Sequence, residues 1–398
     1  MAAPTSPNRL HFLDWLRILA LGWLIPYHVG MYYVSWDWHL KSPFASTALE
    51  PWMRLSAPWR MSLLFLVAGA ATAFMLQRQG ASAALLGQRA KRLLLPLVAG
   101  MVVIVPPQAY LQVVQQVGYA GDYLDFLRLY FTAYGGFCRS GGCLVLPTWN
   151  HLWFLPYLFV YTLVLWGLLR AWPEALDRCA TALGRALGGA GLVLWPVLAL
   201  ALLRFWLAPR FPITHGLIDD PFAHAQYLPM FMLGVVLSRH GGGWSAMDHL
   251  RWPALCAAIA AWALLLATDG GTVPGVRPLA YATQQWCAIV AAVGFAHRHL
   301  NRENAARRWL TEAVFPVYVL HQTLIVLGIA LLAPLALRPV VEGPLLIVGT
   351  LGVGLAVFVA ARGVPWLRPW LGLGPLQTAA ALPAAPIRLA TDRPRRSA

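Results

Sequence analysis

Acidic residues are scarce in this chain. Only 15 of its 398 residues are Asp or Glu, and charged residues of both signs make up 11%. A soluble globular protein has about a quarter of its residues charged, so a soluble enzyme or carrier is excluded. Cysteine is limited to five residues, with no second ligand pair beside Cys138 and Cys143 to complete a zinc site. His297-Arg298-His299 is too sparse for a metal, and no metal site is expected. There is no Walker A loop and no Gly-x-Ser-x-Gly elbow, which excludes nucleotide hydrolysis and a serine-hydrolase triad of that type. The glycines between Gly349 and Gly354 fall inside an apolar run, where close helix packing accounts for them. No internal repeat is evident.

What is abundant is hydrophobic sequence: 59% of residues, with a mean hydropathy of +0.61. Apolar runs of about 20 residues recur along the whole chain, the signature of an all-α, polytopic membrane protein. About ten spans are expected, at 12–34, 58–78, 93–117, 149–170, 190–208, 222–239, 252–268, 281–298, 313–335 and 344–362. No segment between them is long enough for a soluble domain. The expectation is therefore one membrane domain over 1–375, followed by an Ala/Pro/Arg-rich, disordered tail over 376–398. The first apolar run is too long for a cleaved signal and carries Asp14 and Arg17.

The net charge of +15 does not indicate nucleic acid, because the basic residues sit in short segments between apolar runs. Examples are Arg89-Ala90-Lys91-Arg92, the stretch 298–308 and the 393–396 tail. Lys and Arg so placed mark the cytoplasmic side, which puts both termini in the cytoplasm and the chain in the inner membrane. Two outer segments, 35–57 and 118–148, are then long enough to carry function. The first holds Trp36, Asp37, Trp38 and His39; the second holds Cys138 and Cys143, a disulfide or two free thiols.

Within the first span, Arg17 and His28 are costly guests, at about 2.5–3.5 kcal/mol for a charge near mid-bilayer. Their spacing returns to within roughly 20° of one helical face, offset by about 16 Å along the axis. His28 suits a general base or a transient acyl carrier, or a packed histidine bonded to Tyr27 or Tyr32. Pro26 removes a helix N–H beside it and predicts a kink. Arg17 suits a carbonyl or phosphate contact with Asp14 orienting it, or snorkels to the near interface. His321 and Tyr318 share a helix face, as cavity residues or as a packing pair. Asp219, Asp220 and His224 are weaker candidates for contacts to an acceptor.

These elements occur in a familiar order. Phe12-Leu13-Asp14-Trp15-Leu16-Arg17 with His28, Arg89-Ala90-Lys91-Arg92 before Leu93-Leu94-Leu95-Pro96, His151-Leu152-Trp153-Phe154-Leu155 and Tyr318-Val319-Leu320-His321 together resemble the integral-membrane acyltransferase family 3. Ile25-Pro26-Tyr27-His28, Trp38-His39-Leu40-Lys41-Ser42 and Pro107-Gln108 are similar to its glucan-succinylating branch. The resemblance implies helices enclosing a polar cavity and an O-acyltransferase using acyl-CoA as donor substrate, with no permanently bound cofactor. It implies transfer of an acyl group of succinyl or acetyl type to a periplasmic or cell-envelope glycan. On that reading His28, Arg17 and Asp14 are catalytic; Arg89, Arg92, Tyr318 and His321 bind the donor; His39, Trp38, His151 and Trp153 bind the acceptor. Membrane lipid is the remaining partner. A proton-coupled transporter or flippase for an anionic or glycan substrate is the alternative from another class.

Overall fold

The computed structural model describes residues 10–139, 141–238, 242–268 and 275–375. The expected tail, 376–398, lies outside them. Fifteen α-helices run through the described residues: α1 His11–Gly22, α2 Leu24–Tyr33, α3 Glu50–Ser56, α4 Arg60–Gln79, α5 Ala83–Ala99, α6 Pro106–Val117, α7 Tyr123–Phe131, α8 Phe154–Ala171, α9 Ala175–Ala186, α10 Gly191–Trp206, α11 Pro221–Leu237, α12 Gly242–Ala267, α13 Val276–His299, α14 Ala305–Leu332 and α15 Pro339–Arg362. The β-structure among them is one two-residue hairpin, Cys138–Arg139 (β1) against Gly142–Cys143 (β2). A disulfide joins Cys138 to Cys143 across it, which settles the choice the sequence left open.

Among the described residues, six helices are long and apolar enough to cross a membrane, or up to eight if each of two bent pairs is one span. This multi-pass membrane protein thus shows fewer qualifying spans than the ten expected. The expected span 12–34 is divided at Trp23 into α1 and α2. Pro26 is the cause: it has no N–H to give the Gly22 carbonyl one turn behind. The expected span 222–239 is α11, which is apolar but has 17 residues.

Small residues set the closest helix contacts. Gly69 on α4 meets the Phe231 backbone, and Gly234 on α11 meets the Leu66 backbone; a β-carbon built at either would lie 1.9 Å from a carbonyl oxygen. Such contacts are how membrane helices gain van der Waals packing where lipid offers no hydrophobic drive. Beside them Phe65, fully buried, stacks on Tyr227 with ring centroids 4.8 Å apart. The pairing of α4 with α11 fixes one wall of the cavity described next.

Candidate active site

A cavity of about 670 Å³ opens among α2, α4, α6, α10, α11, α13, α14 and the segment leading into α8, under the segment that follows α2. That volume is in the range of small-molecule sites, about 300–1,000 Å³. His28, Trp38, His39, His151 and Trp153, all selected from sequence, line it.

Three histidines converge there. The His28 ring lies 5.1 Å from that of His321, which lies 5.0 Å from that of His151. His321 is buried behind the cavity wall. Its Nδ1 donates to the Tyr318 carbonyl at 2.6 Å, and His151 Nε2 donates to the Val319 carbonyl at 2.9 Å. These backbone acceptors fix both tautomers. The remaining nitrogens, His321 Nε2 and His151 Nδ1, are buried with no hydrogen-bond partner among the described residues, as is His28 Nδ1. A buried polar atom without a partner costs about 1–3 kcal/mol, so three in one cluster mark a place built for more than packing. Tyr318 hydroxyl donates to the His151 carbonyl at 2.9 Å and holds that helix entrance in place.

A chain of neutral amides frames the histidines. His39 Nδ1 donates to Gln112 Oε1 at 2.6 Å, and its Nε2 accepts from Gln322 Nε2 at 2.6 Å. Gln322 also donates to Gln108 Oε1 at 3.1 Å, which accepts from Asn150 as well. Gln108 in turn donates to Thr323 Oγ1 at 2.5 Å. Burial holds the His39 imidazole below its ordinary range, so it stays neutral and serves as a hydrogen-bonding post.

The outer wall is aromatic and basic. Trp153 stacks on His215 at 4.1 Å between centroids, and burial pushes the His215 imidazole down to about 4. Arg60 lies over the Tyr27 ring at 3.5 Å and Arg204 over the Tyr281 ring at 3.3 Å. Their remaining bonds are neutral: Arg60 to Ser56 Oγ at 3.3 Å and Arg204 to Gln226 Oε1 at 3.5 Å. Neither guanidinium has a carboxylate partner among the described residues.

Other sequence candidates lie elsewhere. Asp14 pairs with the buried Arg307, which also binds Glu303 at 2.6 Å. Arg17 sits 3.8 Å from Asp14 and donates to the Thr311 carbonyl at 3.4 Å. Neither residue lines the His28 cavity, because an axial offset of about 16 Å carries Arg17 well below the level of His28. Arg89 is buried between α4 and α8, donating to Thr72 Oγ1 at 3.3 Å and Thr162 Oγ1 at 3.2 Å, while Arg92 is exposed. Tyr318 and His321 therefore join His28 and His151 rather than Arg89 and Arg92. Asp220 and His224 anchor the loop after α10. Asp220 accepts from Tyr157 at 2.7 Å and from the His215 N–H at 3.0 Å; His224 donates to the Leu217 carbonyl at 2.5 Å and accepts from Tyr161 at 3.1 Å.

Arg60, Tyr281 and His215 were not singled out from sequence. A signal existed for Arg60, a basic residue at the end of its span opposite the one the charge pattern marks as basic. No local pattern marks Tyr281 or His215.

A family model for an acyltransferase domain matches residues 10–359. The chain belongs to acyltransferase family 3. This acyltransferase is thus an enzyme of O-acyl transfer, and the matched region contains every residue of the cavity. No curated protein matches the acyltransferase, and neither does any solved structure.

Proposed function

We propose that this enzyme transfers a carboxyl-bearing acyl group, of succinyl type, from acyl-CoA to a hydroxyl of a periplasmic glycan. The observation that carries this reading is one cavity lined by His28 and His151, with His321 packed between them behind its wall, and by two guanidiniums with no carboxylate partner among the described residues. A transferase of acetyl groups has no use for a fixed cation at the distal end of its acyl chain. A guanidinium binds a carboxylate bidentately, and Arg60 and Arg204 are both within the cavity. The likeness of the His28 and Trp38 segments to the glucan-succinylating branch supports the same choice.

In this reading the acceptor hydroxyl gives its proton to His28 as its oxygen attacks the thioester carbonyl carbon. The carbon–sulfur bond then breaks, and the coenzyme A thiolate leaves with the proton that His28 took from the hydroxyl, which restores the neutral imidazole. His321 and His151 stand behind His28 with fixed tautomers and hold its ring in place. Trp38 and Trp153 offer apolar faces to a sugar. Arg92, exposed at the opposite, cytoplasmic end, holds donor phosphates, while Arg89 is engaged by Thr72 and Thr162 between the helices. Ten spans with both termini cytoplasmic follow if α1 with α2, and α11, also cross the inner membrane.

The test is transfer from radiolabelled succinyl-CoA and acetyl-CoA to glucans by purified protein. His28→Ala should lower transfer by about 10²–10⁴-fold. Arg60→Gln and Arg204→Gln should lose succinyl transfer while keeping acetyl transfer. Ester formation retained in His28→Ala, or substrate moved across vesicles with no ester formed, overturns the reading.

A further inference from the structure

The segment from Ser35 to Lys41 roofs the cavity and is gripped from one side by three glutamines of α6, two on its backbone and one on the His39 side chain. Gln116 Nε2 donates to the Trp38 carbonyl at 2.7 Å and the His39 carbonyl at 3.0 Å. Gln115 accepts from the Lys41 N–H at 2.8 Å and donates to the Lys41 carbonyl at 3.2 Å. Gln112 takes the His39 side chain. The spacing of these three residues puts them on one helix face. On the other side Glu50 of α3 accepts from Ser35, and Arg54 lies 6.0 Å from the Trp36 ring centroid.

One residue of the roof is held by neither helix. Asp37 lines the cavity with its side chain 65% exposed, and both of its oxygens accept from the guanidinium of Arg139. Arg139 is the second residue of β1, next to Cys138 and paired in register with Gly142. The guanidinium beside Asp37 holds its carboxyl below the usual carboxylate range. The disulfide closes the hairpin that presents Arg139, and Tyr130, Phe126 and Phe137 pack the rest of that outer segment.

We infer that Arg139 is a positioning residue for the acceptor: the disulfide-closed hairpin clasps Asp37 and so sets the place of Trp38 and His39 over the cavity. This rests on the acyl-transfer reading above and adds a residue and a disulfide that no motif of that reading contains. The clasp acts only on the rim that faces the acceptor, far from the residues proposed to hold the donor. It should therefore change acceptor binding and leave donor binding alone.

The experiment compares the intact enzyme with Arg139→Gln, with Cys138→Ser/Cys143→Ser, and with the reciprocal pair Asp37→Arg/Arg139→Asp. Steady-state transfer is measured against both substrates, together with amide hydrogen exchange over residues 35–42. The acceptor KM should rise about two- to fivefold in Arg139→Gln, the effect of losing an exposed, doubly bonded ion pair, with donor KM unchanged. Exchange at Lys41 and Ser42 should quicken, the cysteine variant should shift both readings the same way, and the reciprocal pair should restore them. Unchanged exchange in Arg139→Gln, or equal changes in both KM values, overturns the clasp. Wild-type protein that transfers no acyl group overturns the proposed function instead, and the exchange reading then decides the clasp alone.

Discussion

The contact between α4 and α11 offers a sharp test of how the cavity is built. A methyl group placed at Gly234 would come within 1.9 Å of the Leu66 carbonyl oxygen and 2.9 Å of the Ala70 nitrogen. Neither obstacle is a side chain that can rotate aside. The helices must part by about 1 Å before even the tightest carbon–oxygen contact is reached, and packed interiors resist such movement. Inserting a methylene into a packed core costs about 1–3 kcal/mol, and backbone-on-backbone contact puts this case at the top of that range. Alanine returns up to about 1 kcal/mol through its better helix propensity, which leaves Gly234→Ala destabilised by about 2 kcal/mol. Gly167→Ala on α8 is the control, since a β-carbon there meets nothing within 4 Å. Reversible unfolding in bicelles should show the first variant well below wild type and the second level with it or above. Because α4 carries Arg60 and α11 carries Gln226 and Tyr227, succinyl transfer should fall with stability in the first variant alone. Equal stability of the two variants would refute the packing argument.

Two further outcomes follow from the loop after α10. Tyr157→Phe leaves the buried Asp220 with the His215 N–H as its remaining partner and strips the Leu217 N–H of its acceptor, a loss of about 2–3 kcal/mol; a change under about 0.5 kcal/mol by the same unfolding assay would contradict it. His215 is held down to about 4 in the folded state, below its unfolded value of about 6.5. The unfolded chain then binds the proton first, so the stability present above pH ~6.5 declines as pH falls toward 4, by about 3 kcal/mol for this group. His215→Gln should flatten that decline in a pH series of unfolding measurements; an unaltered slope would show that the imidazole does not titrate in this way.

The membrane class was legible because about 20 apolar residues in a row admit few structures, and the cavity histidines were legible because bare imidazole is rare in such runs. His28, Trp38, His39, His151 and Trp153 reached the same cavity from three segments of the chain, which motif order anticipated and periodicity could not. Arg17 does not line the cavity of His28, because sharing a helix face says nothing of depth: an offset of about 16 Å along the axis places it at a different level. Arg60 and His215 were hidden because their importance comes from what packs beside them, Tyr27 and Trp153. The glutamines of α6 were legible in principle. Gln108, Gln112, Gln115 and Gln116 recur on one face of an otherwise apolar span, and uncharged amides in a membrane segment need partners as much as charges do.

Those glutamines also make the roof of the cavity indifferent to ionic strength over most of its length. Amide-to-carbonyl bonds carry no net charge for counterions to screen, whereas the Asp37–Arg139 pair is exposed and is weakened within a Debye length of about 8 Å at physiological salt. The rim therefore has one exposed ion pair among several neutral amide fastenings, and a change in ionic composition reaches the site chiefly through the disulfide hairpin.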